Sequence, residues 1–215
     1  MQVIAILNTK GGVGKSTLAS ALAVRAASED KSRRVGIVDL DAQQTLCAWF
    51  KDRPVKDAPE VFGGEQSPAA AIEKMRIAGM DLVFLDGPPS FLALIKEAID
   101  VADLVVIPLK ASLPDLRSTQ DAVVMARQAK KPILAVINDA TKRDGTVDTT
   151  LAVLRNGNVR VADTIMHHRV SHMTGFAAGK TAAEVNGGRD KDAAEEIDSL
   201  WREVTAALKG ARRGK

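Results

Sequence analysis

The chain has 215 residues and one cysteine, with 46% apolar and 27% charged residues and a formal net charge of +3. This composition excludes a fibrous or disordered protein, and the length suits one globular domain with a substantial core. A lone cysteine excludes an internal disulfide, and no run of eighteen apolar residues predicts a signal peptide or membrane span, so we expect a cytoplasmic protein.

The chain opens with an apolar run, predicted as a strand over residues 2–8, that leads into a glycine-rich turn and a helix over 15–29. This is the context of a phosphate-binding loop, because glycines let backbone N–H groups surround phosphate oxygens at a helix N-terminus. Lys15 is expected at the β- and γ-phosphates and the Ser16 hydroxyl on Mg²⁺. The candidate nucleotide-binding residues are Gly11, Gly12, Val13, Gly14, Lys15, Ser16 and Thr17.

Short apolar runs alternate with helical patterns along the rest of the chain. Further strands are predicted over residues 33–38, 81–85, 103–108, 132–137 and 159–165, and helices over 67–78, 90–101, 114–129, 146–155 and 192–209. Several of the strands are continuously apolar, as expected of parallel strands that helices cover on both faces. The pattern predicts an α/β fold in one domain over 1–215: a doubly wound, mostly parallel sheet flanked by helices, with ligands at the carboxyl ends of its strands.

Two of the predicted strands end in aspartates. Asp86 follows an apolar run, and a carboxylate at the ligand edge of the sheet can hold Mg²⁺. Asp39 and Asp41 are two residues apart after the second strand, so both side chains can face the nucleotide. One can support the metal while the other orients the attacking water. An N-cap of the next helix by Asp41 is also compatible with the sequence.

The last third of the chain combines an amphipathic helix with basic residues. Its apolar residues recur at helical spacing, and we expect them to pack on the domain rather than on a membrane. They are Ile197, Leu200, Trp201, Val204 and Leu208. A basic tail follows at about 209–215, which can contact DNA phosphates or simply aid solubility.

Three motifs resemble those of the ParA/MinD family of deviant Walker A ATPases. Residues 10–17 match the family's phosphate loop with two lysines, 39–44 are similar to its Asp-x-Asp-Pro-Gln-Gly segment, and 81–90 to its Asp-x-x-x-x-Asp-x-Pro-Pro-Ser segment. Residues 107–120 resemble the region after the family's next strand. The resemblance is greatest to short plasmid-type ParA proteins, and it implies a P-loop NTPase fold and an ATPase that binds ATP or ADP with Mg²⁺.

The same resemblance implies roles for individual residues. Lys10 would be the signature lysine, reaching phosphates held by the partner subunit of an ATP-dependent, nucleotide-sandwich homodimer. Lys10, Lys15 and Asp41 would be catalytic, with Asp41 orienting the hydrolytic water. The Mg²⁺ residues would be Ser16, Asp39 and Asp86.

Four further positions matter to this comparison. Asn138 falls where relatives contact the adenine, although an ordinary turn asparagine also fits the sequence. The other three depart from the family pattern in its switch segments, which leaves their effect on turnover open. They are Ala42, Gln44 and Gly87.

ParA-like relatives bind DNA without sequence preference, whereas MinD-like relatives bind membranes. We favour the first class: a nucleoid-associated ATPase, stimulated by a ParB-like or adaptor protein, for plasmid or chromosome partition or cargo positioning, with no membrane partner. A MinD-like membrane-surface ATPase for division-site positioning and a metabolic P-loop ligase are the alternatives. The candidate DNA contacts are Arg169, Lys180, Arg202, Lys209, Arg212 and Arg213.

Overall fold

The computed structural model describes residues 1–64, 67–141, 145–187 and 190–213, with only the backbone of residues 186–187 and 212–213. The strands are β1 (Gln2–Ile6), β2 (Val35–Asp39), β3 (Glu60–Gly63), β4 (Leu82–Asp86), β5 (Leu104–Leu109) and β6 (Ile133–Ile137). The helices are α1 (Lys15–Glu29), α2 (Thr45–Asp52), α3 (Pro68–Ile77), α4 (Leu92–Val101), α5 (Leu113–Gln128), α6 (Thr146–Asn156), α7 (Val170–Ala177) and α8 (Lys191–Arg213), with a 3₁₀ helix over Ala182–Gly187. The predicted α/β fold is confirmed.

The strands form one parallel sheet in the order β3-β2-β4-β1-β5-β6. The register brings the carboxyl ends of three strands level, because Asp86 pairs with Ile6 on one side and with Asp39 on the other. The chain order reverses between β4 and β1, and ligands of open α/β sheets bind in the crevice at such a reversal. The loop that follows β1 therefore begins beside both aspartates.

Apolar side chains cover both faces of the sheet. Helices α1, α2 and α8 pack on one face, and α3, α4, α5 and α6 pack on the other. The predicted stripe of α8 is buried throughout, and Trp201 also donates its indole N–H to Glu29 on α1 at 3.0 Å. The prediction that this stripe packs on the domain is confirmed.

The predicted strand over residues 159–165 is wrong. This segment runs beside β6 and makes a single isolated bridge, between Ala135 and Val161. Its backbone leaves the sheet at Asp163 and Thr164, whose amides donate instead to the carboxylate of Glu203 on α8, at 2.7 and 2.9 Å. The Glu203 side chain, about forty residues away, therefore interrupts the pairing, which resumes where the Met166 amide donates to the Ile137 carbonyl at 3.0 Å.

Several short elements have no clear signal in the sequence. Helices α2 and α7 have eight residues each, and β3 has four half-buried or exposed residues at the sheet edge. Elements this short show too few periods of the apolar pattern to be recognised. Within the described part of the chain, no helix is both long and apolar enough to cross a membrane.

The turn at Gly179 provides a test of the packing. Gly179 has a φ of +65°, and a Cβ there would overlap the backbone of Asp52 and Arg53 at the end of α2. We expect Gly179→Ala to lower the free energy of unfolding by roughly 2–3 kcal/mol, from left-handed strain and backbone displacement. Urea unfolding would measure this. Gly210→Ala is the control, because it lies within α8 with open space around it and should leave stability unchanged or slightly raised.

Candidate nucleotide-binding and hydrolysis site

The turn after β1 adopts a backbone that only glycine accommodates easily. Gly12 and Gly14 have φ of +73° and +86°, and a Cβ at Gly14 would collide with the side-chain amide of Asn138. Gly14 is the N-cap of α1, with no side-chain cap and no acidic residue in the first turn. The amides at the start of α1 are therefore available to an anion, as a phosphate loop requires.

The two lysines of the loop have different environments. Lys15 is buried and folds back over the loop, where its Nζ donates to the carbonyl of Lys10 at 3.0 Å. Burial lowers the pKa of Lys15, while the charges of Asp86 and Asp41 oppose this shift. The Lys10 side chain is 40% exposed, and its Nζ lies 2.9 Å from Oδ2 of Asp115 on α5. Lys15 thus forms its hydrogen bond within its own loop, whereas Lys10 lies at the rim of the site and contacts α5.

Ser16 and Asp86 form a polar pair beneath the loop. The Ser16 hydroxyl donates to Asp86 Oδ2 at 2.6 Å, and Asp86 is fully buried. Burial raises the pKa of Asp86 to about 7, against the opposing hydrogen bond from Ser16. Asp86 Oδ1 is buried and has no hydrogen-bond partner among the described residues. A buried carboxylate with an unused oxygen beside a hydroxyl fits Mg²⁺, a cation that prefers oxygen ligands.

No three His, Cys, Asp or Glu side chains converge as a preformed metal site in the ranges that the structure describes. Mg²⁺ at nucleotide sites needs no such cluster, because it typically takes one or two protein oxygens and completes its shell with phosphates and water. Bound by Ser16 and Asp86, it would neutralise charge that develops on the phosphates.

Asp39 has a structural task that the sequence does not reveal. Its Oδ2 accepts the amides of Leu46 and Cys47 at 2.8 and 3.1 Å, and its Oδ1 accepts that of Asp41 at 3.1 Å. Asp39 is buried, and burial raises its pKa despite these hydrogen bonds. Asp39 thus satisfies amides in the first turn of α2, while Oδ1 accepts only one of these hydrogen bonds and keeps a lone pair for a further donor or a cation.

Asp41 lies at the rim of the same edge. It is half-buried, and its charge acts on both Lys15 and Asp86. Its Oδ1 accepts the amide of Gln43 at 3.0 Å, in a turn that precedes α2. Because α2 begins at Thr45 and Asp39 binds its first amides, the alternative of Asp41 as the helix N-cap is wrong. The role of Asp41 in orienting the attacking water stays a prediction.

A cavity of about 440 Å³ opens beside the loop. Asn138 contributes to its wall and donates from Nδ2 to the carbonyl of Val13 at 2.7 Å. A cavity of this size, with mainly apolar accessible surface and polar side chains among its lining residues, suits a planar base. Sequence reasoning missed the cavity walls that α7 and the segment before it provide. They include Met166, His168, His172, Met173 and Phe176.

The candidate DNA contacts divide into two groups. Arg169 is paired with Glu196 at 2.5 Å, Asp192 at 3.2 Å and Asp190 at 3.6 Å, so its charge is already neutralised within the fold. Lys180 is half-buried in the turn that supports Trp49, which donates to its carbonyl. The three ion pairs of Arg169 argue against phosphate binding by this side chain.

The other candidates lie on or beyond the C-terminal half of α8. Arg202 and Lys209 are exposed on this helix, and Arg212 and Arg213 form its last turn, where only the backbone is described. The rest of the predicted basic tail, residues 214–215, lies outside the described residues. Among the candidates whose side chains the structure describes, Arg202 and Lys209 are therefore the most accessible to a polyanion.

Comparisons with known proteins agree with this geometry. A family model for the CobQ/CobB/MinD/ParA nucleotide binding domain matches residues 4–182. Maintenance of carboxysome distribution protein A from Halothiobacillus neapolitanus is 28% identical over 211 residues, covering 94% of this chain and 95% of the relative. The chromosome-partitioning ATPase Soj from Thermus thermophilus is 33% identical over 137 residues, covering 50% and 54%.

The same fold occurs in solved structures. The septum site-determining protein MinD from Pyrococcus horikoshii, complexed with Mg-ADP, superposes with a TM-score of 0.72 at 18% identity. The superposition covers 94% of this chain and 95% of that structure. The family match includes the loop, both strand ends that carry aspartates, and Asn138.

The reactivity of the only cysteine, Cys47, depends on burial and on the neighbouring Asp39. Burial, and then the charge of Asp39, raise the pKa of Cys47 from 9.0 to about 11. Since the thiolate is the reactive form, Cys47 at pH 8 should react with a disulfide reagent about a hundred times more slowly in the native than in the urea-unfolded chain.

Asp39→Asn should accelerate this native reaction, whereas Asp30→Asn, an exposed acid in the turn before β2, should not. The reaction rate would be measured from the absorbance of the aromatic thiol that the reagent releases. Equal rates in native and unfolded protein would contradict the environment described for Cys47.

Proposed function

This chain belongs to the CobQ/CobB/MinD/ParA family and is an ATPase of the ParA/MinD type, and on that basis we propose an ATP-driven switch. ATP joins two copies, the dimer binds DNA without sequence preference, and a partner protein stimulates hydrolysis and release. The observation that supports this most directly is the pair of loop lysines. Lys15 folds into its own loop, while Lys10 is exposed at the rim, where a second subunit could approach.

Each step of hydrolysis has a candidate group. The glycine loop and Lys15 would hold the phosphates, and the Asn138 side of the cavity would hold the adenine. Ser16 and Asp86 would hold Mg²⁺, with Asp39 positioning the segment that carries Asp41. Asp41 would orient the attacking water. Phosphoryl transfer depends mainly on such positioning and charge neutralisation.

The surface around Lys10 supports association with a second copy. Three large apolar side chains are exposed near it: Phe91 at 57%, Leu92 at 55% and Leu113 at 69%. Phe91 and Leu92 follow Ser90, whose hydroxyl donates to the Thr9 carbonyl, and Leu113 lies two residues before the partner of Lys10. Apolar groups around a cation would combine burial with charge attraction across a nucleotide-sandwich dimer.

The charge distribution on α8 supports DNA as the polyanion. The exposed Lys209 and the backbone positions of Arg212 and Arg213 place basic residues together at the end of this helix. Dimerisation would double these contacts, which makes DNA binding dependent on ATP. A MinD-like membrane anchor would need a free apolar stripe, and the stripe of α8 is already buried against the sheet.

The cargo follows from the kind of relative. One similar protein is named for carboxysome distribution and another for chromosome partition. We therefore propose that this ATPase, together with a ParB-like or adaptor protein, distributes DNA or another large cargo along the nucleoid. ATP turnover stimulated by DNA with the partner, rather than by a metabolite, would exclude the metabolic ligase alternative.

Substitution of Lys15 and Asp41 separates binding from hydrolysis. Lys15→Ala should weaken ATP binding roughly 100-fold or more, since each charged hydrogen bond contributes about 1.5–3 kcal/mol. Asp41→Ala should bind ATP but hydrolyse it roughly 100-fold more slowly, and so accumulate as a dimer. Titration calorimetry, phosphate release and light scattering would measure these effects.

The control for both variants is Lys31→Ala, an exposed lysine before β2, which should behave as the wild type. An Asp41→Ala protein that hydrolyses ATP at the normal rate would show that another group orients the water.

Binding assays distinguish DNA from membrane as the surface. With ATP and Mg²⁺, we expect a gel shift of random duplex DNA and no flotation with anionic liposomes. Arg202→Ala and Lys209→Ala should each weaken DNA binding. Each should also lower the slope of the logarithm of the binding constant against the logarithm of the salt concentration by about one phosphate contact. Arg76→Ala, an exposed arginine of α3 on the opposite sheet face, is the control. Liposome binding without DNA binding would favour the MinD-like alternative.

A further inference from the structure

The signature lysine is held within its own subunit. Lys10 Nζ lies 2.9 Å from Asp115 Oδ2, and the Asp115 side chain is only 3% exposed. The Ser112 hydroxyl also donates to this oxygen, while Asp115 Oδ1 is buried without a hydrogen-bond partner in the described chain. Among the described residues, Lys10 is therefore the only cation that forms an ion pair with Asp115.

The backbone before Lys10 is fastened to the same helix. Asn8 donates from Nδ2 to Thr119 Oγ1 at 3.2 Å and accepts the Lys10 amide at 2.9 Å. The Thr9 hydroxyl donates to the Ser118 carbonyl at 2.8 Å. Positions 115, 118 and 119 are three and four residues apart, so these contacts share one face of α5. The position of Lys10 is set by α5 as well as by the glycine loop.

Loss of Lys10 would leave Asp115 in an unfavourable state. A mostly buried carboxylate that loses its cation retains its desolvation penalty without the compensating attraction. Lys10 would leave Asp115 readily only if it gained a stronger anion elsewhere. A triphosphate, with more negative charge than a diphosphate, is such an anion at this edge of the sheet.

We propose that Asp115 is a positioning residue that restrains Lys10 in its own subunit and so makes dimerisation selective for ATP. The inference rests on the proposed dimer, in which Lys10 serves the opposite nucleotide. Lys15 connects the two events, because its Nζ now binds the Lys10 carbonyl and would have to turn towards bound phosphates. Nucleotide binding thereby loosens the segment that holds Lys10 against Asp115.

Amine labelling tests the restraint without reference to dimers. In the nucleotide-free wild type, an acylating reagent should modify Lys10 several-fold more slowly than the exposed Lys31, as measured by peptide mass spectrometry. Asp115→Asn should accelerate labelling of Lys10 several-fold, because an amide attracts the ammonium less strongly. Asp121→Asn, an exposed acid on the same helix, is the matched control and should change nothing. Fast labelling of Lys10 in the wild type would overturn the restraint.

Light scattering with AMPPNP or ADP tests the consequence. Asp115→Asn should lower the dissociation constant of the AMPPNP dimer at least tenfold and allow dimers with ADP, while Asp121→Asn matches the wild type. The helix content of Asp115→Asn, measured by circular dichroism, should match that of the wild type, which separates a role through Lys10 from altered folding of α5. Unchanged dimerisation of Asp115→Asn would overturn the inference.

The two proposals fail in different ways. A wild type that stays monomeric with AMPPNP would contradict the proposed dimer, and with it the selectivity assigned to Asp115. The labelling rates would still decide whether Asp115 holds Lys10.

Discussion

In-register pairing of β4 with both β1 and β2 is the constraint on which the site depends. It sets Ile6, Asp86 and Asp39 side by side, so the phosphate loop leaves the sheet next to two carboxylates. Apolar residues on both sheet faces fix this register, because each strand is held between two layers of helices. The geometry of the candidate site is thus a consequence of how the core packs.

Burial gives this edge its electrostatic character. Lys15, Asp39 and Asp86 are all buried, and each has a pKa displaced by desolvation. Asp39 is compensated by backbone amides, whereas Asp86 retains an oxygen that the described residues do not satisfy. The unsatisfied oxygen of Asp86 would gain a partner when a nucleotide and its cation bind.

Helices outside the nucleotide edge connect it to the rest of the molecule. The loop after β1 contacts α5 through Asn8, Thr9 and Lys10. The first turn of α2 donates amides to Asp39, and the end of α2 lies beside the turn at Gly179. The α8 helix completes the core and presents basic residues at its end. The candidate site is therefore joined by direct contacts to α5, near the surface that we assign to the partner subunit, and to α2.

The sequence by itself determined the alternating α/β order, the glycine loop and Asp86, because each is encoded by neighbouring residues whose spacing is visible in one short segment. It did not reveal that Asp39 accepts amides of the first turn of α2, that Asp115 holds Lys10, or that Glu203 interrupts the pairing of residues 159–165 with β6. Those facts depend on which side chains meet across the fold. Each contact joins groups far apart in sequence or decides between two local roles of one residue, so only the tertiary structure settled them.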